Sequence, residues 1–79
     1  MENEHHWNYR VIKHTEESPI EESGYVWFAI HSVYYMNGVP KLVSTEPSKL
    51  FGEKEEDLKY DFDLMKKAFD KPHLNYEDF

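Results

Sequence analysis

The chain contains no cysteine. Disulfides, thiolate zinc centres and cysteine nucleophiles are therefore excluded, and the pattern fits a reducing compartment. Glycine is scarce: Gly24, Gly38 and Gly52 stand far apart, so there is no glycine-rich phosphate loop. Cationic surface is also lacking. Arg10 is the only arginine, and the lysines are interleaved with acids. Sixteen Asp and Glu against nine Lys and Arg give a formal net charge of −7. A phosphate backbone needs the opposite sign, so no direct nucleic-acid partner is expected. No apolar run approaches the roughly 20 residues that a transmembrane helix requires. The opening Met1-Glu2-Asn3-Glu4-His5-His6 has neither the basic nor the apolar part of a secretory signal. The expectation is a soluble cytoplasmic chain with no membrane partner.

Aromatic residues are what the chain has in excess, at 16% of 79 residues. A single small domain of this size buries only about 60–65% of the surface its unfolded chain exposes. Its aromatics must therefore contribute to the core. Residues 1–6 read as a polar tail. "WNYRVIKHT" (7–15) is a strand by its β-branched and aromatic content. "EESPIEESG" (16–24) is a loop. "SGYVWFAIHSVYYMNG" (23–38) is a second strand ending in Asn37-Gly38, a strong hairpin signal because both residues tolerate positive φ. "VPKLVSTEP" (39–47) returns as a short or edge strand bracketed by Pro40 and Pro47.

Residues 48–72 contain a helix. Leu58, Phe62, Met65 and Phe69 form one stripe at helical period, widened by Leu64 and Ala68. Glu53, Glu55, Glu56 and Asp57 crowd its start and Lys66, Lys67 and Lys71 its end, as the helix dipole favours. Pro72 stops it. The expected fold is α+β, a three-stranded antiparallel sheet with one C-terminal helix packed on one face (β-β-β-α). The domain spans 7–72, followed by an acidic tail, 73–79, in which Leu74 and Tyr76 could tuck back onto the sheet.

In the second strand, Val26, Phe28, Ile30, Tyr34 and Met36 share one side. Tyr25, Trp27, Ala29, His31, Val33 and Tyr35 share the other. One helix covers one face, and the aliphatic members favour the even-numbered side as the helix-facing core. The odd-numbered side would then be open, joined by Trp7 and Tyr9 or by Arg10 and His14, depending on register. Rings with polar tips suit a partly wet interface, which makes Tyr25, Trp27, His31 and Tyr35 candidate partner-binding residues. Three covers are open for that side: the chain's own tail, a second copy forming a homodimer, or a foreign protein.

Five histidines raise the question of a metal, but no HxH, HxxxH or HExxH spacing occurs. Ser32 and His31 point to opposite sides of a strand and cannot form a catalytic pair. The carboxylates lie on solvated helix positions, where nothing raises their pKa. No metal, cofactor or catalysis is expected.

Together, "WNYRVIKHT", "YVWFAIHSVYY" and "EDLKYDFDLMKKAFDKPHLNYED" resemble a family of small uncharacterised bacterial proteins. Its chains begin W-N-Y-R-[VI]-x-[RKH]-H, continue through Y-x-I-H-x-V-Y-Y and end in K-P-x-L-x-Y. The resemblance covers most of 7–78 and implies a soluble β-rich domain with one helix. Two departures stand out. The 16–24 loop is longer and more acidic, and Lys54 sits where a Ser or Thr N-cap is expected. At fold level, "SGYVWFA" and "GEKEEDL" resemble the N-terminal domain of HicB-type antitoxins. The function expected on these grounds is a non-catalytic, acidic protein-binding module. The alternative is an inhibitor of the anti-CRISPR kind, encoded by a phage or mobile element, that blocks a basic nucleic-acid groove through Asp57, Asp61 and Asp63.

Overall fold

The computed structural model describes residues 5–17 and 24–79. It is α+β with one helix, but its sheet has four strands and is mixed, in the order β3-β2-β1-β4. Strand β1 (His5–Glu16) pairs antiparallel with β2 (Tyr25–Met36) along its whole length, from His5↔Met36 to Glu16↔Tyr25. Asn37 (φ 53) and Gly38 (φ 81) make the tight turn into β3 (Val39–Val43). Both have positive φ, as a two-residue hairpin turn that matches strand twist requires. A register shift between Tyr34 and Tyr35 accommodates Pro40 on this edge strand. Beyond β3 the chain keeps to the edge of β2 through two isolated backbone bonds, Ser44 N–H to the Ser32 carbonyl and Ser48 N–H to the Ile30 carbonyl.

The chain then turns into α1 (Glu55–Lys66). Gly52 is required here, because a Cβ on it would run into the backbone nitrogen of Leu58. Lys54 occupies the N-cap position and makes no side-chain cap bond, so the acids of the first turn face the dipole uncapped. A 3-10 turn (Lys67–Asp70) continues the helix to Pro72. The residues after Pro72 supply the fourth strand. In β4 (Leu74–Asn75) the chain runs parallel to β1, with Leu74 opposite Ile12. A final 3-10 turn (Tyr76–Asp78) follows. The expected all-antiparallel, three-stranded sheet is corrected by this short tail strand. Its two residues carry too little pattern to be legible.

The core lies on the side of the sheet opposite to that expected. Ile12, Val33 and Tyr35 form it, with Val43, Leu74 and Tyr76 packed against them. On β2 the odd-numbered His31, Val33 and Tyr35 are buried, whereas Val26, Phe28, Tyr34 and Met36 are exposed. Element lengths explain this. A 12-residue strand runs about 40 Å, but a 12-residue helix spans only about 18 Å. The helix meets the Tyr9–Ser32 side of the sheet, where the Tyr9 hydroxyl donates to Asp61 Oδ1 at 2.6 Å, and leaves the ends of that side bare. Its buried residues are Met65 and, in the following turn, Ala68, with Leu64 and Asp61 half-buried beside them. The expected stripe is therefore rotated: Leu58, Phe62 and Phe69 are exposed.

Candidate functional site

The register brings His14 of β1 beside Trp27 of β2, and Arg10 beside His31. All four lie on the buried side. The His14 ring stacks on Trp27 (centroids 3.8 Å apart, planes within 4°) and on Tyr76 from the tail (4.6 Å, 26°). His14 Nε2 and His31 Nε2 are 2.8 Å apart. His31 Nδ1 lies 2.9 Å from the Ser44 carbonyl oxygen, with the Ser44 hydroxyl at 3.2 Å.

Chemistry assigns the protons in this chain. A carbonyl only accepts, so His31 Nδ1 carries the hydrogen and its Nε2 is the acceptor in a neutral ring. His14 Nε2 must then donate. Burial is the largest influence on His31 and lowers its pKa; the Ser44 carbonyl bond opposes it, and neighbouring His14 lowers the pKa further. The Ser44 hydroxyl is held in turn, donating to the Glu46 carbonyl at 2.8 Å.

Arg10 is the second anchor on this side. Nη1 donates to the Tyr35 hydroxyl at 2.9 Å and Nη2 to the Pro72 carbonyl at 2.8 Å. Tyr35 also stacks on His6 at 4.4 Å. Arg10 is buried with neutral oxygens as its partners, and its Nε has none. The strand arginine therefore works as a cross-brace, tying β2 to the residue that leads into β4.

The seven expected contact residues divide. His31 and Tyr35 are buried under the tail and offer no surface, and Trp27 is half-buried against His14. Tyr25 is exposed, as are Asp57 and Asp63 on α1. Asp61 is half-buried and engaged by Tyr9. Burial together with the Asp61 bond and charge pushes the Tyr9 phenol up to about 12. Of the three covers open for the odd-numbered side, the structure places the first: the chain's own tail. Of the two registers open in the sequence the structure takes the one that puts Arg10 and His14 on that side, and Tyr76 does tuck back; what the sequence did not show is that these side chains bond or stack with Tyr35, His31 and Trp27. The available signal was a lone arginine and a histidine alternating with Ile12 in a strand.

The exposed apolar surface lies elsewhere. Leu50, Leu58 and Phe62, with Glu55, Glu56 and Lys59, line an open groove of about 520 Å³ beside α1. Phe51 is 69% exposed and Phe28 55%, with Phe28 set T-shaped against the His73 ring at 5.6 Å. Among the described residues no group of three His, Asp or Glu could hold a metal. No described helix is long and apolar enough to cross a membrane. Comparison with family models, curated proteins and solved structures finds no match for this chain.

Proposed function

We propose that this chain is a non-catalytic protein-binding module whose contact surface is the apolar ground beside α1 and along the even-numbered side of β2. One observation carries the reading. Phe28, Phe51 and Phe69 are more than half exposed, while the buried apolar side chains of the described residues are Ile12, Val33, Tyr35, Met65 and Ala68. Large apolar surface left in water costs about 25 cal/mol per Å² relative to burial, and where exposed apolar side chains share one groove, as Leu50, Leu58 and Phe62 do, they mark a contact site. The His14–His31 pair supports the same reading. Its facing Nε2 atoms engage each other and His31 Nδ1 is taken by Ser44, so three of the pair's four ring nitrogens are bound up in holding the fold.

The test is affinity capture with the wild-type chain and with Phe51→Lys/Phe62→Lys, after circular dichroism shows that the variant is folded. The wild type retains a partner, foreign or self, and the variant loses it. A wild type that retains nothing and remains monomeric would overturn the reading.

A second reading draws on Glu55, Glu56, Asp57 and Asp63, all exposed on α1: the acidic face occupies a basic groove on a nucleic-acid-binding protein. Salt separates the two. Mimicry weakens steeply between low and high ionic strength and fails in Asp57→Lys/Asp63→Lys, whereas apolar contact survives both.

A further inference from the structure

Among the described residues the edge of β2 beyond β3 is bare. β3 pairs with Val33–Met36, and the last cross-edge bonds reach Ser32 and Ile30. Those two carbonyls point to the β3 side, so by the two-residue repeat of a strand the N–H and C=O of Val26 and Phe28 point there as well. They meet no partner among the described residues. The other edges carry guards or partners over part of their length. β3 carries Pro40 and Lys41, and β1 carries Lys13 and is paired with β4 at Ile12 and Lys13. The segment Tyr25-Val26-Trp27-Phe28-Ala29 has neither charge nor proline, the usual guards of an open edge, and Tyr25, Val26 and Phe28 are exposed.

We propose that a second copy of this chain pairs with that edge, antiparallel about a two-fold axis at Trp27, making one continuous eight-stranded sheet. The proposal rests on the protein-binding reading above and names its partner. Three features of the edge fit a copy of itself. Its length is symmetric: Gly24 ends the strand on one side of Tyr25–Ala29, and Ser48 occupies the Ile30 position on the other. In the paired arrangement the position opposite Ile30 is already held by Ser48, so pairing must end where the partner's Gly24 (φ 75) turns off the strand. The bonding is also self-complementary. Val26 of each copy exchanges both backbone bonds with Phe28 of the other, so four bonds form, and Trp27 faces its own equivalent as an aromatic cross-strand pair.

The charges match as well. Lys49 follows Ser48 at one end of the edge, and Glu16 lies one strand in from the edge, on β1 across from Tyr25, at the other, so the two-fold turns each copy's basic end toward the other's acidic end. Leu50 and Phe51, next along the chain, extend the contact on the same flank. Five residues of strand edge with Leu50 and Phe51 make a smaller contact than the roughly 20–30 residues a side of a standard interface. The expected dimer is therefore concentration-dependent.

Sedimentation velocity of the purified chain from about 1 to about 300 μM tests this, since a small interface dissociates within that range. The wild type should shift from monomer to dimer. Val26→Pro removes one edge N–H without touching a β1-facing group, and Phe28→Lys puts charge on the seam. Both should remain monomeric at the highest concentration with unchanged circular dichroism. Leu42→Lys, on the β3 edge, should dimerise like the wild type. If a β2 variant fails to fold, amide exchange of the wild type decides instead: Val26 and Phe28 should gain protection with concentration while Ile12 and Val33 do not change. A monomer at every concentration overturns the proposal, as does a dimer abolished by Leu42→Lys but kept in Phe28→Lys. A monomer that still captures a foreign protein overturns the dimer alone and leaves the binding reading standing.

Discussion

Replacing Tyr76 by alanine tests whether the tail closes the core. The ring is half-buried, packs against Ile12, Val33 and Tyr35, and stacks on His14 at 4.6 Å. Deleting a fully buried large aromatic costs about 3–5 kcal/mol. Half of that is about 2, and a stacked pair adds ~0.5–1.5 kcal/mol. The expected loss is ~2.5–3.5 kcal/mol against a total of about 4–12 kcal/mol for a chain of this length. At a urea m-value near 1 kcal/mol/M, the midpoint should fall by about 3 M. The melting temperature should fall by about 10–30 °C. Urea unfolding followed by circular dichroism reads both. Tyr76→Phe keeps the ring and should stay within ~0.5 kcal/mol of the wild type, the range of ordinary surface changes. A Tyr76→Ala loss below ~0.5 kcal/mol would show that the tail is dispensable. A Tyr76→Phe loss equal to that of Tyr76→Ala would place the stabilisation in the hydroxyl and refute the stacking account.

Three further outcomes follow from the same geometry. His31 has a folded pKa below its unfolded value near 6.5, so the unfolded chain binds more protons. Stability should hold above the unfolded pKa and decline as pH falls through it, at up to ~1.4 kcal/mol per pH unit; His31→Gln should flatten that slope in urea titrations across pH. Asp61→Asn removes the charge beside Tyr9, so ultraviolet titration should show the phenol moving down from about 12 toward its ordinary value. An unmoved phenol would assign the whole shift to burial. Alanine at two glycines should separate conformational from steric cost. Gly38 has φ 81 with open space around a Cβ, and its variant should lose only ~1–2 kcal/mol. Gly52→Ala would press on the Leu58 backbone and should lose more; equal losses in the two variants would contradict the close approach.

Elements with strong local signals were legible in the sequence. The Asn37-Gly38 turn, the two long strands and the helix before Pro72 all appear, because turn chemistry and periodicity act within a few residues. The side of burial was not legible, because it depends on what arrives from far along the chain. Aliphatic Val26, Ile30 and Met36 marked the even-numbered side as core, but the covering of the other side comes from Leu74 and Tyr76. Leu74-Asn75 pairs with β1 from 62 positions away in sequence, Ile12 to Leu74, and two residues carry no pattern of their own. The burial of His31 and Tyr35 was not legible for the same reason. His31 and Tyr35 looked like wet aromatic tips, yet each polar tip has a protein partner supplied by another element: Ser44 and His14 for one, Arg10 for the other.

Burying the more polar side makes physical sense once those partners are counted. A histidine, a tyrosine hydroxyl or a guanidinium removed from water costs several kcal/mol if left unpaired and little if bonded. On the odd-numbered side the bonds close in series: Ser44 to His31, His31 to His14, Arg10 to Tyr35, and Arg10 to the Pro72 carbonyl. Each bond fixes a geometry that an aliphatic core would leave free, so the polar side specifies where the tail lies. The aliphatic side has the opposite property. Val26, Phe28 and Met36 need no particular partner geometry, only cover, and the helix is too short to give it. A side that needs cover without direction is the one that can be left for another chain, and it borders the strand edge that is unpaired among the described residues.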